Sequence, residues 1–327
     1  MSSINTNASA MNALSTLRQI NSNLESTQGR ISTGLKVESG KDNAAYFQIS
    51  ETMKGDSSVY ASINEGLTLT KNSVSTARLG AETINGLAQQ FLDKVAFAQG
   101  ATGGHAEIES DLAELVKQME TTLQQSTFNG DDMLGAGAYA NGDVTSATLT
   151  ATDGTMDAAA EANADATVGV ARNVVTGISR AGSYSTTSIS VETHDMGQLV
   201  ANFKAMTASF ETNATDTTPV DSDTDGTDDT TQGAVFLSGL LASSEKELGR
   251  ATDIATKLGQ AEKSIENQQE FLSSVVDNID AGVGSMIDAN MEEEAARLQA
   301  LQVQQQLATQ SLSIANQAPQ NILSLFR

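Results

Sequence analysis

Two long series of apolar residues, one towards each end of the chain, constrain the fold more than any other feature. Ile63, Leu67, Thr70, Val74, Ala77, Ala81, Ile84, Ala88, Phe91 and Val95 follow one another in steps of four and three. Such steps place all ten on one stripe of an α-helix. Ala251, Ile254, Leu258, Ala261, Ile265, Gln268, Leu272, Val275 and Ile279 do the same near the other end. Shorter series extend both: Leu17, Ile20, Leu24, Thr27 and Ile31 upstream, and Ile287, Met291, Glu294, Leu298, Leu301, Gln305, Ala308, Leu312 and Ala315 downstream of a break expected at "DAGVGSM". Ile108, Leu112, Leu115 and Met119 predict one more helix, ending near Phe128. A 3.5-residue period held over several heptads is the signature of coiled-coil-like packing. Only two prolines, Pro219 and Pro319, interrupt the chain. Pro319 is expected to stop the last helix, because the residue before a proline is pushed out of the α region.

Neither stripe can be buried alone, and the two match in length and period. The fold class expected is therefore mainly α: a long coiled-coil-like helical hairpin formed by the N- and C-terminal regions, with a small α+β insert at its tip and both termini together at the other end. The insert differs in composition. Between Gln118 and Glu245 there are eighteen acids against three bases, so most of the net charge of −23 lies there. "TSATLTAT" and "TTSISVET" read as weak strands, "MGQLVANFKAMTASF" as a helix and "ETNATDTTPVDSDTDGTDDTTQG" as a surface loop. The expected domains are 1–40 plus 286–327, a terminal coiled coil; 41–135 plus 235–285, a helical bundle; and 136–234, a variable surface domain.

Composition excludes several classes. Without cysteine there is no disulfide, thiolate metal site or Cys nucleophile. No apolar run approaches the roughly 18 residues of a membrane span. A pI near 4.2 argues against nucleic acid and anionic membranes as partners. No cleavable signal peptide is visible at the start.

The ends avoid charge although the chain is acidic. There is no Asp, Glu, Lys or Arg from Met1 to Leu17 or from Leu298 to Phe326. Exposed helices ordinarily carry such residues for solubility. An isolated pair of these helices buries too little to offset an ordering entropy of about 1–2 kcal/mol per residue, so it is expected to complete its folding on association. When identical copies stack closely, any charge in the packed zone faces its own repeats and is repelled. A neutral core with a screened acidic exterior is what a self-assembling polymer requires. The residues expected to pack between subunits are Ile4, Leu14, Leu17, Ile20, Leu24, Ile31, Leu298, Leu301, Leu312, Ile322, Leu323, Leu325 and Phe326.

Four motifs then carry a resemblance. Ile4-Asn5-Thr6-Asn7, the stretch "RISTGLKVESGKDNAAY" from Arg30 to Tyr46, "STFNG" from Ser126 to Gly130, and the tail "ANQAPQNILSLFR" resemble, in order, the terminal motifs of bacterial flagellins. The likeness covers about residues 1–135 and 235–327, and is closest to the short flagellins of alphaproteobacteria. It implies a structural, non-enzymatic subunit that polymerises into the extracellular flagellar filament for motility. It also implies type III export of an unfolded chain, and a filament cap, hook–filament junction proteins and an export chaperone as partners. The alternative within the same apparatus is a hook–filament junction protein, which shares the helical ends; the start and tail favour flagellin. One departure concerns the family's Q-R-V-R-E-L-A, the grip of an animal innate-immune receptor. Here "QQFLDKVA", Gln89 to Ala96, lacks both arginines, and the bidentate contacts of an Arg fork have no substitute in Gln or Leu. Weak or absent recognition is expected.

Other sites are sparse. Asp221, Asp223, Asp225 and Asp229 fall at ligand positions of a calcium loop, with Gly226 at its turn, but position twelve is Gln232 rather than Glu. A solvated Asp/Thr loop is the plainer reading; a secreted calcium-binding adhesin is the alternative it would support. No other cofactor is implied. His105 and His194 are isolated, expected at the surface, and form no H-E-x-x-H. Asn7 and Asn213 match the N-glycan pattern, the first by chance since it lies in the expected packed zone.

Overall fold

The computed structural model of the chain describes residues 7–141, 148–156, 171–179, 185–220 and 230–325, with 318–325 as backbone only. In chain order the elements are α1 (Ala8–Thr33), α2 (Ala44–Gly100), α3 (His105–Gln125), α4 (Ala136–Asn141), β1 (Arg172–Ser179), β2 (Ser185–Val191), α5 (Met196–Thr207), α6 (Phe210–Ala214), β3 (Pro219–Val220), β4 (Thr230–Thr231), α7 (Gln232–Ile287) and α8 (Met291–Leu325). The chain divides into two compact units, Tyr60–Ser273 and Met1–Val59 with Ser274–Arg327. Both divisions fall inside helices, α2 and α7.

The larger unit is organised by the two stripes. Nine of the ten α2 positions, from Leu67 to Val95, are buried and Ile63 packs against them. They meet Ala251, Leu258, Ile265 and Leu272 of α7 and Ile108, Leu112, Val116, Met119 and Leu123 of α3 in one core. The same core takes in Met156, Val174, Val191, Leu199, Phe203 and Phe210. The described residues of the insert thus share the interior of the bundle. The Phe91 and Phe203 rings meet edge to face, with centroids 4.9 Å apart.

One of the quoted motifs has a clear local purpose here. In "STFNG", Asn129 and Gly130 both have positive φ, at 51° and 80°. Phe128 and Asp131 exchange backbone hydrogen bonds of 3.1 and 2.8 Å across them, the two-residue turn for which Asn-Gly is suited. The carboxylate of Asp131 then accepts from Ser73 Oγ on α2 and from Arg172 on β1. Asp132 accepts from the backbone N–H groups of Leu134, Ala136 and Gly137, starting α4.

Strands β1 and β2 pair antiparallel, with an irregularity between Val175 and Gly177. "TTSISVET" is therefore β2, but its partner is "RNVVTGIS". The described part of "TSATLTAT" makes only an isolated bridge, Leu149 to Met156. The ribbon is tied to the bundle: Gln268 of α7 donates to the Thr176 carbonyl at 3.0 Å and Tyr60 of α2 to that of Ile178 at 3.3 Å. Gln268 interrupts an apolar stripe because a strand carbonyl needs a donor there. Close approach also explains two glycines. Gly154 has φ +67°, and a Cβ on Gly154 or Gly239 would overlap the backbone of Phe236 or Asp153 respectively.

Both histidines are buried, correcting the surface expectation. His105 opens α3 against the Phe210 ring, 6.5 Å between centroids. His194 lies in the extended segment before α5, whose N–H donates to the Met133 carbonyl; burial and the charge of Lys257 lower its pKa.

The smaller unit joins α1 to α8 and the first turns of α2 to the last of α7. Gly34, left-handed at φ +73°, ends α1 and donates to the Arg30 carbonyl. The chain then pairs with the α7–α8 connection: Lys36 and Val37 donate to the Ile287 carbonyl, and Ala289 to that of Gly34. Val37, Val283 and Ile287 form a small core beneath. The helix break lies here, at 288–290, and not at "DAGVGSM". Gly282 and Gly284 remain helical, since the pairing with residues 34–37 is what diverts the backbone. In "ESGKDNAA", the Asp42 carboxylate accepts from the backbone N–H groups of Glu38 and Ser39 and from the Ser39 hydroxyl. These bonds, the Ser39 backbone bond first, lower its pKa. Asn43 caps α2 through Ala45 and Tyr46.

The helix α8 also departs from expectation, running through Pro319 to Leu325. A proline inside a helix removes one N–H and crowds the preceding turn. The carbonyl it orphans, that of Ala315, accepts instead from Asn7 Nδ2 at 2.7 Å.

Candidate self-assembly surface

The α1–α8 pair carries most of the residues expected to pack between subunits. Ile20 and Leu301 are buried, and Leu17, Leu24, Ile31, Leu298 and Leu312 are half-buried along the same seam. The heptad therefore faces within the chain first. Leu14 lies outside the seam and is exposed. Ile4 and Phe326 are outside the described residues, and Ile322, Leu323 and Leu325 belong to the last turns of α8.

Polar groups interrupt the seam at intervals. Arg30 Nη1 donates to Glu294 Oε1 at 3.2 Å, with Arg297 on the same oxygen at 3.4 Å. The Glu294 side chain is only 7 % exposed, and its Oε2 has no partner among the described residues. A buried carboxylate is tolerated only where a cation faces it, so this pair favours one alignment of α1 and α8 over its heptad neighbours. Gln305 Nε2 donates to Asn21 Oδ1 at 2.8 Å further along. Asn7 to Ala315 forms the third tie. Glu294 and Gln305 were legible as polar seam positions; their partners on α1 were not.

Outside the seam the two helices expose apolar side chains with no covering. Met11 is 64 % exposed, Val303 55 %, Leu307 59 % and Ile314 68 %. The last three recur at steps of four and seven, a second stripe on α8 offset from the seam. They fall off the heptad stripe, which follows only one face of α8. They lie within or beside the charge-free ends.

Asp221, Asp223, Asp225 and Asp229 lie outside the described residues. Among the described residues no three His, Asp or Glu side chains gather as a metal site, and no helix is long and apolar enough to cross a membrane. In "QQFLDKVA", Phe91 and Val95 are buried while Gln89, Gln90, Asp93 and Lys94 are exposed. Lys94 pairs with Asp111 of α3 at 2.6 Å.

A chain whose two ends pair through a tied seam, and which leaves a neutral apolar stripe uncovered beside it, is a subunit built for helical self-association. Residues 4–140 match the bacterial flagellin N-terminal helical region, and residues 243–326 the flagellin C-terminal helical region. Over the whole of both chains it is 34 % identical, across 339 residues, to "Flagellin C" of Rhizobium meliloti (strain 1021). It is also 34 % identical, across 329 residues and again the whole of both chains, to "Flagellin" of Brucella melitensis biotype 1. "Flagellin A" of the Rhizobium strain is 32 % identical across 395 residues. The chain belongs to the bacterial flagellin family. It is a structural subunit of the flagellar filament, polymerising with copies of itself.

Proposed function

We propose that the exposed stripe of Val303, Leu307 and Ile314, with Met11 and Leu14 of α1, is the surface on which neighbouring subunits pack. The observation that carries this reading is exposure without charge. A stripe of apolar side chains within a segment free of Asp, Glu, Lys and Arg offers nothing for solubility in a lone chain. Between copies it can be buried without bringing like charges together. The sites Ile4, Ile322, Leu323, Leu325 and Phe326 belong to the same packed zone in this reading. The terminal helices gain their final order there, and the acidic insert faces solvent.

The filament is extracellular in this reading, and the subunit reaches it through the flagellar type III apparatus. An export chaperone, the filament cap and the hook–filament junction proteins are its other partners, and catalysis plays no part. Deletion of residues 319–327 tests the assembly reading. The truncated chain is expected to stay a soluble monomer and to polymerise poorly in seeded assembly viewed by electron microscopy. Normal filaments from it would refute the role given to the C-terminal end.

A further inference from the structure

Two backbone deficits meet at Asn7. The first is that of any helix start: the opening N–H groups of α1 have no intrahelical acceptor, and Asn7 Oδ1 accepts from Ala10 N at 3.1 Å. The second is particular to this chain. Pro319 has no N–H, so the Ala315 carbonyl four residues earlier lacks its intrahelical donor. Asn7 Nδ2 donates to that carbonyl at 2.7 Å. A single amide side chain thus supplies an acceptor to one helix and a donor to the other. Asp caps a helix equally well but has no donor when ionised, and the hydroxyl of Ser or Thr is shorter.

The surrounding seam gives this bond its consequence. Near the charge-free end it is formed mainly by alanines, Ala10 and Ala13 of α1 and Ala308 and Ala315 of α8, with Leu312. Small side chains interlock weakly, so packing alone distinguishes poorly between alignments displaced by one turn. The Arg30–Glu294 pair fixes the alignment at the far end of α1. We infer that Asn7 is the positioning residue at the near end: it answers the carbonyl freed by Pro319, sets where α8 lies on α1, and holds residues 316–325 as a continuing helix ready for a neighbouring subunit.

Four full-length chains test this: native, Asn7→Ser, Pro319→Ala and the double variant. Serine preserves the cap and adds no charge but does not reach Ala315. The Pro319→Ala change restores the missing N–H and makes the Asn7 donor redundant. The readouts are the critical concentration for polymerisation and amide hydrogen exchange over residues 320–325 in filaments. Asn7→Ser should raise the critical concentration about three- to tenfold when Pro319 is present, the worth of one hydrogen bond. In the Pro319→Ala background the increase should fall below about twofold. Exchange over 320–325 should quicken only in the single Asn7→Ser chain. Equal increases in both backgrounds would show that Asn7 acts independently of the carbonyl freed by Pro319 and would overturn the inference; no increase with Pro319 present would equally overturn it.

Discussion

Replacing Phe203 by alanine asks whether the acidic insert is an ornament on the bundle or part of its core. The side chain is fully buried, on an α5 whose neighbouring Met196, Leu199, Val200 and Met206 are buried as well. With so many fixed neighbours the cavity has little freedom to collapse, so the loss belongs in the usual range for a buried Phe→Ala change, about 3–5 kcal/mol. Part of it is specific to the Phe91 ring, 4.9 Å away and inclined at 62°; an edge-to-face pair contributes about 0.5–1.5 kcal/mol beyond area burial. Urea unfolding of the monomer, followed by helical circular dichroism, measures the first quantity, because the lost signal comes mostly from α2, α3 and α7. A double-mutant cycle with Phe91→Ala measures the second. If the insert folded on a core of its own, Phe203→Ala would leave the bundle transition in place. A loss under about 1 kcal/mol in that transition, or strict additivity in the cycle, would refute the shared core.

Three further outcomes are expected. Glu247 is buried between Asn202 and Arg250, with Oε2 unpartnered among the described residues, and burial raises its pKa above the ordinary 4.5. Its protonated form favours the fold, so this contribution is complete below pH 4.5 and is lost as pH rises through the raised value. Chemical denaturation across about pH 4–7 should therefore show a smaller decline in Glu247→Gln than in the native chain, and parallel profiles would contradict this. Gly239→Ala should destabilise by about 1–3 kcal/mol through overlap with the Asp153 carbonyl, whereas Gly249→Ala, with open space around it in the same helix, should stabilise by about 0.5–1 kcal/mol; thermal melts that rank the two alike would count against the close approach. Monomer carrying Gln90 and Leu92 where an Arg fork is needed should leave innate-receptor reporter cells silent at nanomolar doses, and activation there would show that the contact does not depend on arginine.

The sequence alone determined the α2 and α7 stripes, the α1–α8 seam and the neutrality of both ends. These are periodic or cumulative properties: a helix repeats about every 3.6 residues, so many positions report the same face, and a missing charge needs no coordinates to be seen. It also contained the four motifs that mark the family, though not their purpose. That Asn129-Gly130 makes a tight turn so that Asp131 can bind Ser73 and Arg172 depends on residues far apart in the chain.

Tertiary structure decided what a local pattern cannot contain. Gly282 and Gly284 stay helical while the backbone breaks at 288–290, because residues 34–37 supply the competing hydrogen bonds. Both isolated histidines are interior, since burial is set by what packs over a residue and not by its polarity. In the insert the helix read at "MGQLVANFKAMTASF" and the strand at "TTSISVET" carry no local sign of what they pack against, yet Phe203 and Phe210 complete the bundle core. Pro319 taken by itself ends a helix. With Asn7 across the seam to answer the Ala315 carbonyl, 308 residues away in sequence, the helix goes on.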